Sequence, residues 1–399
     1  MPEFFYPNEA VLEWDSLIVI YPYITGLVAG AFIVSSLYHV FGLTRLQPVA
    51  RFSLLVSLAF LLVCPLPLLL HLGRPERALE MFLRPNLLSA MSGFGYIWLT
   101  YLLIVVAETW LVFRADIVRG IESSSQLRRT VYSLLSLGIR DLSETALTGD
   151  KKLVRLFALV GIPAACLLHG YVGFIFGAVK ANPWWSTPLM PIIFLVSAIV
   201  SGIALLMALY VVAMKIRRKP LDHDCLHFLA LWLGGLLTVA LALEGLEVLT
   251  MYYESEESWG AISELIVGRL AISYFGIQFL LGSIVPILLL GSLEITRVRE
   301  TVSARLRFLA SILVLVGVFA MRWNVVIGGQ LLSKSLRGVG NYTPPLFGEG
   351  SVVMAGALLL LPFLILAVMS FTVSPWQPQT QPTVDLADRW PRFSPGRSS

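Results

Sequence analysis

The segment His71-Leu72-Gly73-Arg74-Pro75-Glu76-Arg77 gathers an imidazole, two guanidiniums and a carboxylate just ahead of Ala90-Met91-Ser92-Gly93-Phe94-Gly95-Tyr96. Gly73 and Pro75 force a turn, so these groups crowd one short loop, joined by Glu80 and Arg84. Such a set suits proton exchange and hydrogen bonding to a polar oxygen at a pocket rim. The competing reading is simpler, because arginines also snorkel to lipid headgroups. A second set, His39, Glu108, His169, Glu244 and Glu247, lies inside long apolar runs. Burying charge in lipid is costly, so each is a functional hypothesis by default. A third segment, Asp222-His223-Asp224-Cys225-Leu226-His227, spaces two histidines at i and i+4, as a metal site would. With no second ligand cluster, a polar helix start capped by Asp222 or Asp224 is the better reading. Cys64, Cys166 and Cys225 stand far apart, which argues against an iron–sulfur cluster, a c-type haem or a structural zinc in this chain.

The elements that must position these residues are membrane spans. Of the 399 residues, 57% are hydrophobic and only 14% charged, and the mean hydropathy is +0.80. A soluble domain carries about 25% charged residues, and a span needs roughly 20 consecutive apolar ones. Nine runs qualify, at about Ser16–Gly42, Ala50–Leu70, Ser89–Phe113, Leu153–Val179, Thr187–Met214, Cys225–Tyr252, Val267–Gly291, Arg305–Met321 and Ser351–Thr372. The eighth is the least regular, since the apolar run Val325–Ile327 continues beyond Arg322. The expected fold is an all-α integral membrane protein. The net charge of +4 is no nucleic-acid signal here, because the placement of Lys and Arg matters more than their sum.

Orientation follows from the loops. Arg45 and Arg51, the stretch from Arg114 to Arg155, Lys215 to Lys219, and Arg297 to Arg307 fall on one side and make it the more basic. That side is expected to face the cytoplasm. The N-terminus, with Glu3, Glu9, Glu13 and Asp15, and the stretch Glu254, Glu256, Glu257 then lie outside, with Arg322 counted among the external cations. The first residues lack a basic stretch, so no cleavable signal peptide is expected. Between residues 126 and 142 apolar residues recur at helical spacing with Arg128, Arg129 and Arg140 between them, the pattern of an interfacial helix. Residues 374–399 read as a loosely ordered cytoplasmic tail.

At the helical rise, His39 lies roughly 35 Å from the outer start of its span and Glu108 roughly 28 Å from its own. His169 lies roughly 25 Å above the inner start of the fourth span, in the outer third. The three groups form a graded series. Glu244 and Glu247, at i and i+3, share a helix face, where Arg269 or Arg322 is the expected ion-pair partner.

The stretch HLGRPERALEMFLRPNLLSAMSGFGYIW resembles the signature loop of the NrfD/polysulfide-reductase membrane-subunit family. Arg322-Trp323-Asn324-Val325-Val326-Ile327-Gly328-Gly329-Gln330 is similar to that family's other recurrent segment, in the right order. The resemblance spans nearly the whole chain. It implies two four-helix bundles, residues 16–180 and 187–332, with residues 1–15 and 333–350 external and 351–373 an added ninth helix. It implies a cofactor-free anchor in the prokaryotic cytoplasmic membrane that binds quinone, such as menaquinone, near the outer face. His71, Arg74, Glu76, Tyr96, His169, Tyr21 and Asp15 are the quinone-site candidates. Glu108, His39, His169, Glu244 and Glu247 are the proton-path candidates. Many relatives carry Asp where this chain has His71, so an ionised carboxylate at that position does not carry over. The implied partners are an external iron–sulfur, ferredoxin-like subunit, docked on Leu72–Ser92 and Trp323–Pro345, and a molybdopterin, hydrogenase or multihaem catalytic subunit. No haem or metal is expected in this chain, and its other contacts are with membrane lipids. Two rivals remain. A b-type cytochrome anchor needs paired histidines at one depth, and only His71 and His169 come close. A secondary transporter is suggested by Cys64-Pro65-Leu66-Pro67, because broken helices mark transport sites, but the sequence shows no matching break in its second half.

Overall fold

A computed structural model describes residues 4–6, 9, 12–84, 86, 89–123, 125–253, 258–296 and 298–376, the side chains of Met91 and Ser123 excepted. Glu3, the acidic stretch at 254–257, Arg297 and the tail from 377 onward lie outside these residues. Among the described residues nine helices are long and apolar enough to cross a membrane. They are α1 (Ser16–Phe41), α2 (Thr44–His71), α3 (Ser92–Glu122), α4 (Glu144–Gly177), α5 (Met190–Arg217), α6 (His223–Tyr253), α7 (Ile272–Ile295), α8 (Glu300–Leu331) and α9 (Val352–Thr372). Within the described residues no extended pairing goes beyond the isolated bridges Phe4–Arg337 and Leu332–Val339.

Three helices run further than hydropathy suggests, two because a charge assigned to a span end is satisfied inside the protein and one because it is capped further out. α3 continues past Phe113 because Arg114 is buried. Its guanidinium donates to Asp150 at 2.5 and 2.8 Å and to the Asp141 carbonyl at 2.6 Å. α4 starts at Glu144, where Ser143 caps the Ala146 amide. α8 runs unbroken through Arg322 to Leu331. Arg322 is therefore a mid-helix residue and not a loop cation, and Trp323–Leu331 belongs to the helix rather than to an external docking loop. The surface helix is shorter than expected, Gln126–Leu135, because Leu137 and Gly138 turn left-handed at φ 51° and 78°. It is fastened to the spans by Trp110 Nε1 donating to the Leu135 carbonyl and by Tyr132 Oη donating to the Thr372 carbonyl.

α2 breaks where expected, between Val63 and Leu66. Pro65 has no amide to give the Leu61 carbonyl, and Trp98 Nε1 of α3 takes that place at 3.2 Å. A second interruption, unforeseen in the sequence, lies in α7. From Ile272 to Ile284 the helix is wound as a π-helix, which is rare at such length. Pro286 enters at the return to ordinary winding.

Helices α1 to α4 pack as one group and α5 to α8 as another, while α9 lies against α2. The groups meet along α1 and α5, which cross at Gly30 and Gly202. A methyl group on Gly202 would collide with the Gly30 backbone, so only glycine permits this approach. Two ends of the molecule result. One carries Asp15, His71, Trp185 and Gln330. The other carries Tyr38, Arg51, Arg114, Tyr210 and Arg217.

Candidate functional site

The first polar loop folds over an apolar cavity. Residues Pro75–Leu79 and Glu80–Leu83 form two short helical turns, held to α3 by Tyr96 Oη donating to the Phe82 carbonyl at 3.0 Å. Beneath them lies a cavity of about 710 Å³ between α1, α2, α3 and α4. Its walls are mainly apolar, with Trp14, Ile18, Phe94, Trp98 and Phe176 prominent, and its rim carries His71, Arg74, Arg77 and Arg84. Tyr21 and Ser92 are among the residues that line it, and each carries a hydroxyl. Both are buried and neither has a hydrogen-bond partner among the described residues. Orphaned buried hydroxyls are costly.

The two recognisable sequence segments meet here. His71 Nδ1 lies 3.4 Å from Asp15 Oδ2, and Asp15 also caps α1 by accepting from the Leu17 amide at 2.8 Å. Partial burial by itself would raise the Asp15 carboxyl, but His71 and the Leu17 and Ile18 amides outweigh it and hold the carboxyl below its ordinary value. Next to it, Gln330 at the end of α8 accepts from the Trp14 amide at 2.8 Å and donates to its carbonyl at 3.0 Å. Trp14 stacks on Trp185 at 5.0 Å, and Trp185 Nε1 donates to the Val325 carbonyl at 2.6 Å. A side chain at Gly329 would strike that indole, which explains the small residue there. The second segment therefore braces the cavity wall through residues 14 and 15.

Of the candidates, Tyr21, His71 and Arg74 line the cavity and Asp15 touches His71. Glu76 stays on the exposed loop and Tyr96 turns to Phe82. His169 is elsewhere. Fully buried, its Nε2 lies 3.1 Å from Arg322, which also donates to Ser197 Oγ at 2.6 Å and sits 3.9 Å over the Phe194 ring. Sequence reasoning missed Ser197, Gln278 and Asn324. Ser273 Oγ donates to Asn324, Asn324 Nδ2 to Gln278, and Gln278 Nε2 to Glu244, each at 2.7 Å. Glu244 thus has an amide partner, and neither it nor Glu247 forms the expected ion pair with Arg269 or Arg322 among the described residues. The π-helical stretch of α7 is the element that carries Gln278 to this point.

Glu108 differs from all of these. It is fully buried, and neither carboxylate oxygen has a hydrogen-bond partner among the described residues. Tyr101 lies within electrostatic reach of Glu108, Cys64 and Cys166, and Tyr21 within reach of Cys64. His39 lies deeper, against the Tyr38 ring and within reach of Arg51. At the same end, His227 lies 3.2 Å from Glu294 and His223 3.5 Å from Glu300, while Asp222 caps the Cys225 amide at 2.9 Å. The polar helix start is the reading the structure supports. Among the described residues no three His, Cys, Asp or Glu side chains are grouped to hold a metal.

The profile of the NrfD polysulphide reductase family matches residues 6–333. A selenate reductase subunit of Mesobacillus selenatarsenatis is 30% identical over 374 residues, covering 88% of this chain and 84% of that protein. A putative dimethyl sulfoxide reductase membrane subunit of Halobacterium salinarum is 30% identical, covering 80% and 69%. The Hdr-like menaquinol oxidoreductase integral membrane subunit of Archaeoglobus fulgidus is 25% identical, covering 57% and 49%.

Proposed function

This chain belongs to the NrfD polysulphide reductase family, and from that premise we propose that it takes up quinone or quinol in the cavity beneath the His71 loop. It is a multi-pass protein of the prokaryotic cytoplasmic membrane and the membrane subunit of a respiratory oxidoreductase. The observation that carries the quinone reading is the cavity itself, with mainly apolar walls that suit a quinone ring and its isoprenoid chain, and two orphaned hydroxyls in its lining residues for the ring oxygens. The menaquinol oxidoreductase relative supports the same substrate class.

In this reading Tyr21 and Ser92 donate to ring oxygens. His71, with Asp15 behind it at 3.4 Å, gives or takes a proton at the rim. Arg74 and Arg77 favour the reduced, more anionic oxygen. Electrons pass to or from an iron–sulfur subunit docked over the loop 72–92 and the segment 332–345, which lie at the same end as the cavity. A catalytic subunit of the reductase completes the complex. The opposite end, with Arg51, Arg114 and Arg217, faces the cytoplasm. A proton route through Tyr21, Cys64, Tyr101 and Glu108 toward His39 fits the placement of these groups. His169, Glu244 and Glu247, the other proton-path candidates, lie in a separate polar region with Arg322 and Gln278, and their hydrogen-bonded setting favours a structural role there.

The test uses the assembled complex in liposomes. Tyr21→Phe is expected to raise the KM for quinol about tenfold, the loss of one hydrogen bond to a ligand oxygen. His71→Ala is expected to lower kcat by on the order of a hundredfold. Unchanged quinol kinetics in both variants would remove the site from this cavity.

A further inference from the structure

The end of the molecule opposite the His71 loop holds a second cavity, of about 390 Å³, where α1, α2 and α5 end. Its shape follows from three chain reversals. α1 stops at Phe41 with Gly42 as its left-handed cap, and the α-helical winding of α2 begins at Gln47 after a turn at Thr44–Leu46. α5 stops at Arg217 because Arg218 adopts a left-handed turn at φ 52°. That turn folds Lys219 back, its amide donating to the Met214 carbonyl at 3.1 Å. The chain leaving α9 closes the third side with Trp376, which packs on Phe52 at 4.7 Å and stacks toward Tyr210 at 6.2 Å.

The lining has one sign of charge. Arg51, Arg217 and Lys219 face the cavity, and no carboxylate lines it among the described residues. Arg51 forms the floor, buried, ion-paired to Asp116 and 4.3 Å over the Phe113 ring. Arg217 lies 5.5 Å over the Trp376 ring, and neither it nor Lys219 forms an ion pair among the described residues. Tyr210 Oη accepts from the Asp222 amide at 3.1 Å, so its own proton is available to an acceptor in the cavity. Apolar Pro48, Met214 and Pro375 complete the wall.

Three cations and a phenol around a half-open space match a phosphate ester. The depth decides its source. The cavity lies where the apolar helices end, at the level of lipid headgroups, and basic pockets between spans at that level bind such groups. We infer that this cavity binds the phosphodiester headgroup of an anionic membrane lipid, clamping the end of α9 to α2 and α5. The interaction is independent of the quinone reading, since it uses other residues at the other end of the molecule.

The test uses the purified full chain. Native mass spectrometry would compare bound phosphatidylglycerol with phosphatidylcholine, and thermal denaturation would be followed with each lipid added. The wild type is expected to prefer the anionic lipid and to gain in Tm from it. The double variant Arg217→Ala/Lys219→Ala, which removes two exposed side chains and should fold, is expected to weaken that binding roughly twentyfold and to lose the Tm gain. The double variant Arg299→Ala/Arg305→Ala, elsewhere on the same end, should leave both intact. Retention of the preference in the first variant, or equal loss in the second, would overturn the site. Millimolar inorganic phosphate that displaces the lipid and reproduces the Tm gain would overturn the lipid as its ligand.

Discussion

Glu108 and Glu244 are both carboxylates in helices that cross the membrane, and the protein treats them oppositely. Glu244 is met by Gln278, which is met in turn by Asn324 and Ser273. Glu108 is fully buried with neither oxygen bonded among the described residues. A polar group in lipid that is answered by its own protein is part of the architecture. One left unanswered is either a defect or a station for something that comes and goes, here a proton or a water. The same contrast separates Arg322, held by Ser197 and the Phe194 face, from Arg74 on the cavity rim.

The largest expected effect lies on the answered side. Arg322→Met strips His169 and Ser197 of their shared partner and should cost about 3 kcal/mol, seen as loss of detergent-stable protein. Normal yield and Tm would erase the distinction. Next comes Glu108→Gln, expected to slow quinol turnover by on the order of tenfold to a hundredfold with the Tm unchanged. Full turnover with unchanged proton stoichiometry in liposomes would make Glu108 a bystander. Gln278→Leu should do the reverse, lowering stability by about 1 kcal/mol while turnover persists. Any large loss of turnover at unchanged Tm would move Glu244 to the functional side.

The smallest effect is a pH dependence at Asp15, a carboxylate that is paired yet partly exposed. Its folded value lies below the ordinary one, so its contribution is fully present above the unfolded value and is lost as pH falls through the folded value. The Tm difference between the wild type and Asp15→Asn should therefore be constant at neutral pH and shrink only in strong acid. A difference that changes at neutral pH would overturn this assignment to Asp15.

Much of this was legible in the sequence, and the reasons are local. The spans follow from apolar run length, the α2 break from Pro65, and the polar turn from Gly73 and Pro75. What escaped depended on partners distant in the chain. Arg322 reads as the end of a span until Ser197 and Phe194 are seen around it, though the run Val325–Ile327 was the signal that α8 continues. Arg114 likewise reads as a loop charge until Asp150 is found. Gln278 and Asn324 carry no charge and so drew no attention among apolar neighbours. The early stop of the surface helix had its marker in Gly138. The joining of the two recognisable segments through Trp14 and Gln330 had none.

The Gly30–Gly202 crossing also bears on how the protein is made. α1 leaves the ribosome first and ends as the most enclosed of the spans, while α5, which covers it, emerges only after α4. Most of its side chains are apolar and it carries no Asp, Glu, Lys or Arg, so it can rest in lipid in the interval. Insertion and assembly are thereby separate events. A nascent chain halted before α5 would hold the Tyr21 side of its cavity and Trp185, yet lack the brace that Val325 and Gln330 of α8 later supply.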